Sequence, residues 1–185
     1  IFNKLWKSGY QGEKSLAIHT LQLYKEEFNS TTWKFIKPKL KDIKSWGHAD
    51  SFGKEILGNI LLKIPSLDKE IINMSKSKNL WIKRMAIMST FPSIRQKQKT
   101  KLAIYLAENY LKEPHKEIQK AIGLTIKEIS LHKPEIAKKF ILKHKQMPET
   151  TFKLATENLK ELRKTKKIKK LGKNNGRWFF WKNIR

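Results

Sequence analysis

The sequence contains no cysteine, which excludes disulfide bridges, a thiolate nucleophile and any zinc site that uses cysteine ligands. A chain without disulfides fits the reducing cytoplasm, where we expect it to act. It also lacks any apolar run near the roughly 20 residues of a membrane-spanning helix. The first residues, Ile1 to Trp6, show neither an initiator methionine nor a signal-peptide pattern, which is compatible with a fragment of a longer protein.

Acidic residues are scarce, because 16 Asp and Glu stand against 41 Lys and Arg, giving a formal charge of +25 on 185 residues. Such an excess destabilises a compact fold through self-repulsion unless a polyanion offsets it. We therefore expect nucleic acid as the partner. An anionic membrane would require an exposed apolar stripe or a lipid anchor as a second signal, and the sequence shows neither. A basic surface that is merely solvated is the alternative.

Apolar residues recur at helical spacing along the chain, interrupted by proline and by residues that cap helices. This pattern predicts a succession of paired helices. We expect them at residues 11–28 and 30–40, 47–63 and 67–75, 79–91 and 99–112, 114–131 and 134–145, with a last helix after Pro148. The run Ser30-Thr31-Thr32 is predicted to supply the N-cap of the second helix.

A small residue recurs in the first helix of each pair, at intervals of roughly 33 to 36 residues. Small side chains let neighbouring helices approach closely, so this period is typical of stacked helical hairpins. The positions are Ala17, Gly53, Ala86, Ala121 and Ala155. We predict an all-α fold, a HEAT-like α-solenoid with a concave basic face, over residues 1–163. Tetratricopeptide repeats have a similar period, but their Trp-Leu-Gly and Tyr signature is absent.

Basic residues also recur near the starts or middles of these first helices. Any one of them alone is most simply a solvated surface group. Repetition at the repeat period instead favours a cationic groove that follows a phosphate backbone. The residues are Lys83, Arg84, Lys120, Lys127 and Lys153.

Beyond Glu161 the chain has no acidic residue but many lysines and arginines. Such a segment buries too little apolar surface to offset the entropy of ordering it, so we predict a basic tail over residues 164–185. Four aromatic residues, Trp178 to Trp181, form a tip that either stacks on bases or packs back on the solenoid.

One stretch, residues 43–53, places an indole, an imidazole and a carboxylate within two turns. If it is helical, Trp46 and Asp50 lie four positions apart on one face and form a small pocket wall. The simpler interpretation is a core aromatic at Trp46 and a first-turn acid at Asp50, favoured by the helix dipole. His48 and His115 are alternative bases, although neither has an evident partner in the sequence.

Three segments taken in order carry a family pattern: Trp46-x-x-x-Asp50-Ser51, the run Asn79 to Ile87, and the run Ile118 to Gly123. Together they resemble the DNA alkylation repair glycosylases built from HEAT-like repeats, the AlkD-like family. The resemblance covers about residues 5–163. It implies a monomer that needs no metal or cofactor and holds duplex DNA on its concave face. It further implies base excision repair of cationic alkylated purines such as 3-methyladenine and 7-methylguanine.

The resemblance also assigns roles to individual residues. It implies that Asp50 is the catalytic aspartate and that Trp46 faces the sugar. It places DNA-gripping cations at Arg84 and Lys127, beside Lys83 and Lys120 of the basic groove.

The chain departs from the family pattern at one wall of the lesion pocket, which we expect Trp81 and Leu124 to line. The family's second tryptophan, after Ala-Ile-Gly, is replaced by Leu124. Loss of this aromatic wall could lower activity, change the preferred lesion, or mark a member that binds without cutting. From the resemblance we also expect the chain to lack the family's first helices, and the aromatic tail is not part of the family pattern.

A single carboxylate is compatible with glycosidic chemistry here. Ordinary glycosidases use two, one of which protonates the leaving group, but an alkylated purine is already cationic and leaves without that help. We therefore predict a DNA-alkylpurine glycosylase. A non-catalytic DNA-binding or structural solenoid is the alternative, and a protein-interaction scaffold is disfavoured by the uniform charge.

Overall fold

The computed structural model describes residues 1–96 and 100–163, and within those ranges the chain forms helices and no strands. In chain order the α-helices are α1 (Phe2–Lys7), α2 (Gln11–Gln22), α3 (Ser30–Ile36), α4 (Trp46–Ser51), α5 (Gly58–Lys63), α6 (Asp68–Ser75), α7 (Leu80–Met88), α8 (Phe91–Arg95), α9 (Thr100–Asn109), α10 (Lys116–His132), α11 (Pro134–Lys143) and α12 (Glu149–Ala155). A π-helical segment, Phe52–Leu57, joins α4 to α5, and 3₁₀ segments cover Lys25–Glu27, Lys37–Asp42 and Pro65–Leu67. The all-α prediction is confirmed.

The helices stack in two layers. One layer, which we call the first-helix layer, consists of α2, α4, α7, α10 and α12, and each of these contacts the next. Of the intervening helices, α6 packs on α7, and α9 and α11 pack on α10, while α3 packs on α5, which follows α4 through the π-helical segment. This arrangement of successive helix pairs is an α-solenoid, as the repeat spacing predicts. The predicted concave basic face stays a prediction.

Small residues sit where the first-helix layer is tightest. A Cβ added at Gly53 would lie 2.9 Å from Cβ of Met88 in α7, and one added at Gly123 would lie 2.7 Å from Cβ of Leu154 in α12. Atoms at such distances overlap, so a larger residue would push the helices apart. Ala86 and Ala155, at the same register, are fully buried. The small-residue register therefore marks real helix contacts.

Several predicted helix boundaries were wrong, for local reasons. Asn29, rather than the Ser-Thr-Thr run, caps α3, because its side chain accepts hydrogen bonds from the backbone N–H groups of Thr31 and Thr32. The predicted helix 79–91 ends at Met88, and a new helix begins with Pro92 in its first turn, where a missing N–H costs nothing.

The predicted tail, residues 164–185, lies outside the described residues. No helix within the two described ranges is both long and apolar enough to cross a membrane.

Candidate functional site

A cleft of about 420 Å³ opens along the first-helix layer, and we call it the Asp50 cleft. Side chains of α4, α7, α10 and α12 meet there, so four successive turns of the solenoid contribute to one site. Its lining residues are Trp46, Asp50, Arg84, Glu117, Lys120, Leu124, Thr150, Lys153 and Leu154.

Asp50 and Arg84 form a bidentate ion pair at the base of the cleft. Arg84 donates from Nε to Oδ1 of Asp50 at 2.6 Å and from Nη2 to Oδ2 at 2.8 Å. The Arg84 side chain is 2% exposed and that of Asp50 is 13% exposed. A planar guanidinium held at two points fixes the orientation of the carboxylate as well as its charge. The Asp50 carboxylate is therefore oriented before any ligand arrives.

Glu117 contacts the same arginine from the other side. Nη1 of Arg84 donates to the carbonyl oxygen of Glu117 and lies 3.4 Å from its Oε2, while Lys120 donates from Nζ to Oε1 at 2.7 Å. Burial acts to raise the pKa of Glu117, but the hydrogen bond and charge of Lys120, with the charges of Arg84 and His115, lower it below its ordinary value. Glu117 is thus a carboxylate shared between two cations.

The walls of the cleft are one aromatic and two aliphatic side chains. Trp46 lies one turn before Asp50 on α4 and is 62% exposed, which is unusual for an indole. Leu124 and Leu154 line the cleft on α10 and α12. An exposed indole beside an oriented carboxylate offers a flat π face to a sugar or a cation.

Comparison with known proteins gives the family. A model of the family described as "DNA alkylation repair enzyme" matches residues 1–159. The chain belongs to the DNA alkylation repair enzyme family. Membership supports a role as an enzyme in DNA repair with DNA as its partner, and it confirms the resemblance that the three sequence segments carry.

The fold agrees with a solved structure described as a predicted DNA alkylation repair enzyme from Enterococcus faecalis. The two superpose with a TM-score of 0.73 at 15% sequence identity, over 84% of this chain and 72% of that one. At this identity the likeness concerns the fold. No curated protein matches the sequence.

Five of the predicted site residues meet in the Asp50 cleft: Trp46, Asp50, Arg84, Lys120 and Leu124. Lys153, a predicted groove residue, joins them with a side chain that is 75% exposed. Their assigned roles stay predictions. The phosphate grip assigned to Arg84 would require its guanidinium, now buried, to leave Asp50.

Three predicted residues are not among those that line the cleft. The side chain of Lys83 points away from that of Arg84, and its Nζ pairs with Oε2 of Glu113 at 2.6 Å. Lys127 pairs with Glu157 at 2.6 Å near the surface. Trp81 is half-buried and packs against the hydrophobic core. A DNA contact by either lysine and a lesion contact by Trp81 stay predictions.

Both histidines considered as alternative bases have partners. Nε2 of His48 lies 2.8 Å from Oγ of Ser15, and the imidazole is 7% exposed. Burial lowers the pKa of His48, with a smaller contribution from Lys14. His115 caps α10, because its Nδ1 accepts a hydrogen bond from the backbone N–H of Glu117. Neither lines the Asp50 cleft.

Sequence reasoning missed Glu117, Thr150 and Leu154. A usable signal for Glu117 was its position, since it follows Arg84 by about one repeat, as Arg84 follows Asp50. Polar residues at the repeat period face one another across the first-helix layer. Within the described ranges, no three His, Asp or Glu side chains are grouped to hold a metal ion.

Proposed function

We propose that this chain is a DNA glycosylase that hydrolyses the N-glycosidic bond of cationic alkylated purines in duplex DNA. The observation that carries the proposal is the oriented Asp50 carboxylate, which shares an open cleft with the exposed indole of Trp46. Family membership supports alkylated DNA as the substrate class, since the family's description names DNA alkylation repair. Lys120 and Lys153, at the cleft, are placed to receive the DNA backbone.

The proposed reaction breaks the bond between C1′ of the deoxyribose and the purine nitrogen. The electron pair of that bond goes to the cationic purine, which leaves as a neutral base, and the sugar becomes an oxocarbenium-like cation. Water then adds through its oxygen to C1′ and gives up a proton to the Asp50 carboxylate, which returns it to solvent. No acid is required for the leaving group, so one carboxylate suffices.

The electrostatic contribution of Asp50 can be bounded. Two unit charges about 4 Å apart attract by about 4 kcal/mol at an effective dielectric constant of about 20. If this attraction arises only in the transition state, it corresponds to roughly a thousandfold in rate. The face of Trp46 would add about 0.5 to 2 kcal/mol by holding the sugar or the cationic base.

The deciding experiment is base release from methylated duplex DNA. Purified protein is expected to release 3-methyladenine or 7-methylguanine, with an Asp50→Asn variant as the inactive control. Protein that binds the duplex but releases no base from it would contradict the proposal.

A non-catalytic DNA-binding protein is the second candidate, and two observations favour it. Leu124 places an aliphatic side chain where the family resemblance expects an indole, and both carboxylate oxygens of Asp50 already accept hydrogen bonds from Arg84. In that case Asp50→Asn would change stability alone.

A further inference from the structure

The four charged residues Asp50, Arg84, Glu117 and Lys120 form one continuous chain of contacts. Carboxylate and cation alternate along it: Asp50 to Arg84 at 2.6 Å, Arg84 to Glu117 at 3.4 Å, and Glu117 to Lys120 at 2.7 Å. The two negative charges of the carboxylates and the two positive charges of Arg84 and Lys120 sum to zero. The site therefore holds no net charge from these residues when it is empty.

This neutrality conflicts with the chemistry proposed for Asp50. A carboxylate that shares both oxygens with a guanidinium forms a neutral pair, and the field of such a pair on a cation is weaker than that of a bare carboxylate. Water cannot screen the charge of Arg84 and so restore the field of a bare carboxylate, because the Arg84 side chain is 2% exposed. A net negative charge at the site requires a second carboxylate close to the arginine.

Glu117 is that second carboxylate. It contacts Arg84 opposite Asp50, and its side chain is 19% exposed, so its charge is little screened by solvent. Together Asp50, Arg84 and Glu117 carry one net negative charge. Lys120, whose Nζ lies 2.7 Å from Oε1 of Glu117, masks this charge.

Of the four charged residues in this series of contacts, Lys120 is the most easily displaced. Its side chain is 40% exposed, against 2%, 13% and 19% for Arg84, Asp50 and Glu117. A partly exposed ion pair between residues three apart on a helix is weak, so a phosphate can outcompete it. Lys120 lines the cleft into which a DNA backbone would come.

We propose that Glu117 is a positioning residue whose charge is masked by Lys120 in the free protein and unmasked when a DNA phosphate draws Lys120 away. Glu117 then offsets Arg84, so that the charge of Asp50 acts on the cationic sugar only while DNA is bound. This proposal rests on the proposed glycosylase function. It adds a coupling between phosphate binding and the electrostatics of the cleft.

The test compares Glu117→Gln with the unmodified chain by two measurements. Single-turnover release of 7-methylguanine should slow by about 10- to 100-fold, because Arg84 is no longer offset. Affinity for an undamaged duplex should rise several-fold, because Lys120 no longer has to leave a carboxylate. A residue that only supports the fold would weaken binding and activity together, without this opposite pair of effects.

The chain offers a matched control in Glu135→Gln. Like Glu117, Glu135 lies in the first turn of a helix and pairs with a lysine three residues later, Lys138, at 3.1 Å. Lys138 is 35% exposed, close to the 40% of Lys120. Glu135 does not line the cleft, so its substitution should leave base release and DNA affinity within about twofold, after removing the same helix-start charge.

The tighter binding must also depend on Lys120. Glu117→Gln should raise affinity in the unmodified chain but not in a chain that carries Lys120→Met. Lys120→Met alone should reduce the slope of log affinity against log salt by about one, as for one lost phosphate contact. This variant, at a partly exposed position, tests the coupling even if Glu117→Gln fails to fold, since an unchanged slope would overturn it.

The outcomes separate this inference from the function on which it rests. If the unmodified chain releases no base, the glycosylase proposal fails, and the binding measurements still decide whether Glu117 holds Lys120 back from DNA. If base is released but Glu117→Gln matches Glu135→Gln in both measurements, the glycosylase proposal stands and the role of Glu117 is overturned.

Discussion

Two neighbouring contacts in the first-helix layer each span about one repeat, but they differ in charge. Between α2 and α4, Ser15 meets His48 across 33 residues of sequence, and burial lowers the pKa of the imidazole, which favours its neutral form. Between α4 and α7, Asp50 meets Arg84 across 34 residues, and both groups are charged. The repeat fixes which positions face each other, and the residue type alone decides whether the contact can act on a cation.

The largest difference between the two contacts should appear in stability. Arg84→Met leaves Asp50 without its cation in a site that is mostly closed to water, so we expect the free energy of unfolding to fall by about 3 to 5 kcal/mol. Ser15→Ala removes the hydrogen bonds of the hydroxyl with His48 and with the carbonyl of Gln11, and it should cost about 1 to 2 kcal/mol. Chemical denaturation of the two variants measures both values. Equal losses would mean that the Asp50–Arg84 pair contributes no more than an ordinary polar contact.

The second-largest difference between the two contacts should appear in the rate of base release. Asp50→Asn keeps the size of the side chain but removes the charge that faces the oxocarbenium ion, so base release should fall by about two to three orders of magnitude. Duplex binding should survive, since a negative charge leaves a cleft that faces phosphates. Rates are compared at a temperature well below the melting point of the variant, because the loss of the ion pair also lowers stability.

Ser15→Ala is the control at the neutral contact, where base release should stay within about twofold of the unmodified chain. A comparable loss of activity in both variants would assign the effect of Asp50→Asn to helix packing rather than to charge.

A smaller gain is expected at the wall of the cleft. Leu124→Trp adds a second aromatic face to the cleft that Trp46 lines, which should raise release of 7-methylguanine by a few-fold, consistent with about 0.5 to 2 kcal/mol for a cation–π contact. Affinity for undamaged duplex should change less than the release rate. Binding that improves as much as catalysis would show that the indole holds DNA in general rather than the cationic base.

The sequence predicted the fold better than it predicted the electrostatics of the cleft. Periodicity shows that Trp46 and Asp50 share a helix face, since residues four apart must. It also shows that the adjacent Lys83 and Arg84 point about a quarter turn apart. It does not show that Lys83 reaches Glu113 and Arg84 reaches Asp50. Which of two basic neighbours becomes buried depends on contacts between helices that are distant in sequence.

Glu117 illustrates the same limit. In the sequence it is an ordinary acid in the first turn of a helix, a position that many proteins fill for the helix dipole alone. The positioning role proposed for Glu117 depends on its contact with Arg84. That contact requires α7 and α10 to be adjacent in the stack. The repeat period predicts this adjacency only if the helices stack as a solenoid. The contact of Glu117 with Arg84 is therefore seen in the structure and not in the sequence alone.

The smallest effect concerns the neutral contact and the pH. His48 has a folded pKa below its ordinary value of 6.5, because the imidazole is buried and Lys14 is near. The unfolded chain therefore binds a proton at His48 more readily than the folded chain, and stability should fall as the pH drops below about 6.5. His48→Gln removes this titration and keeps a partner for Ser15, so between pH 7 and pH 5.5 its melting temperature should decline by about 1 to 3 °C less than that of the unmodified chain. Parallel declines for the two proteins would show that other groups carry the pH dependence in this range.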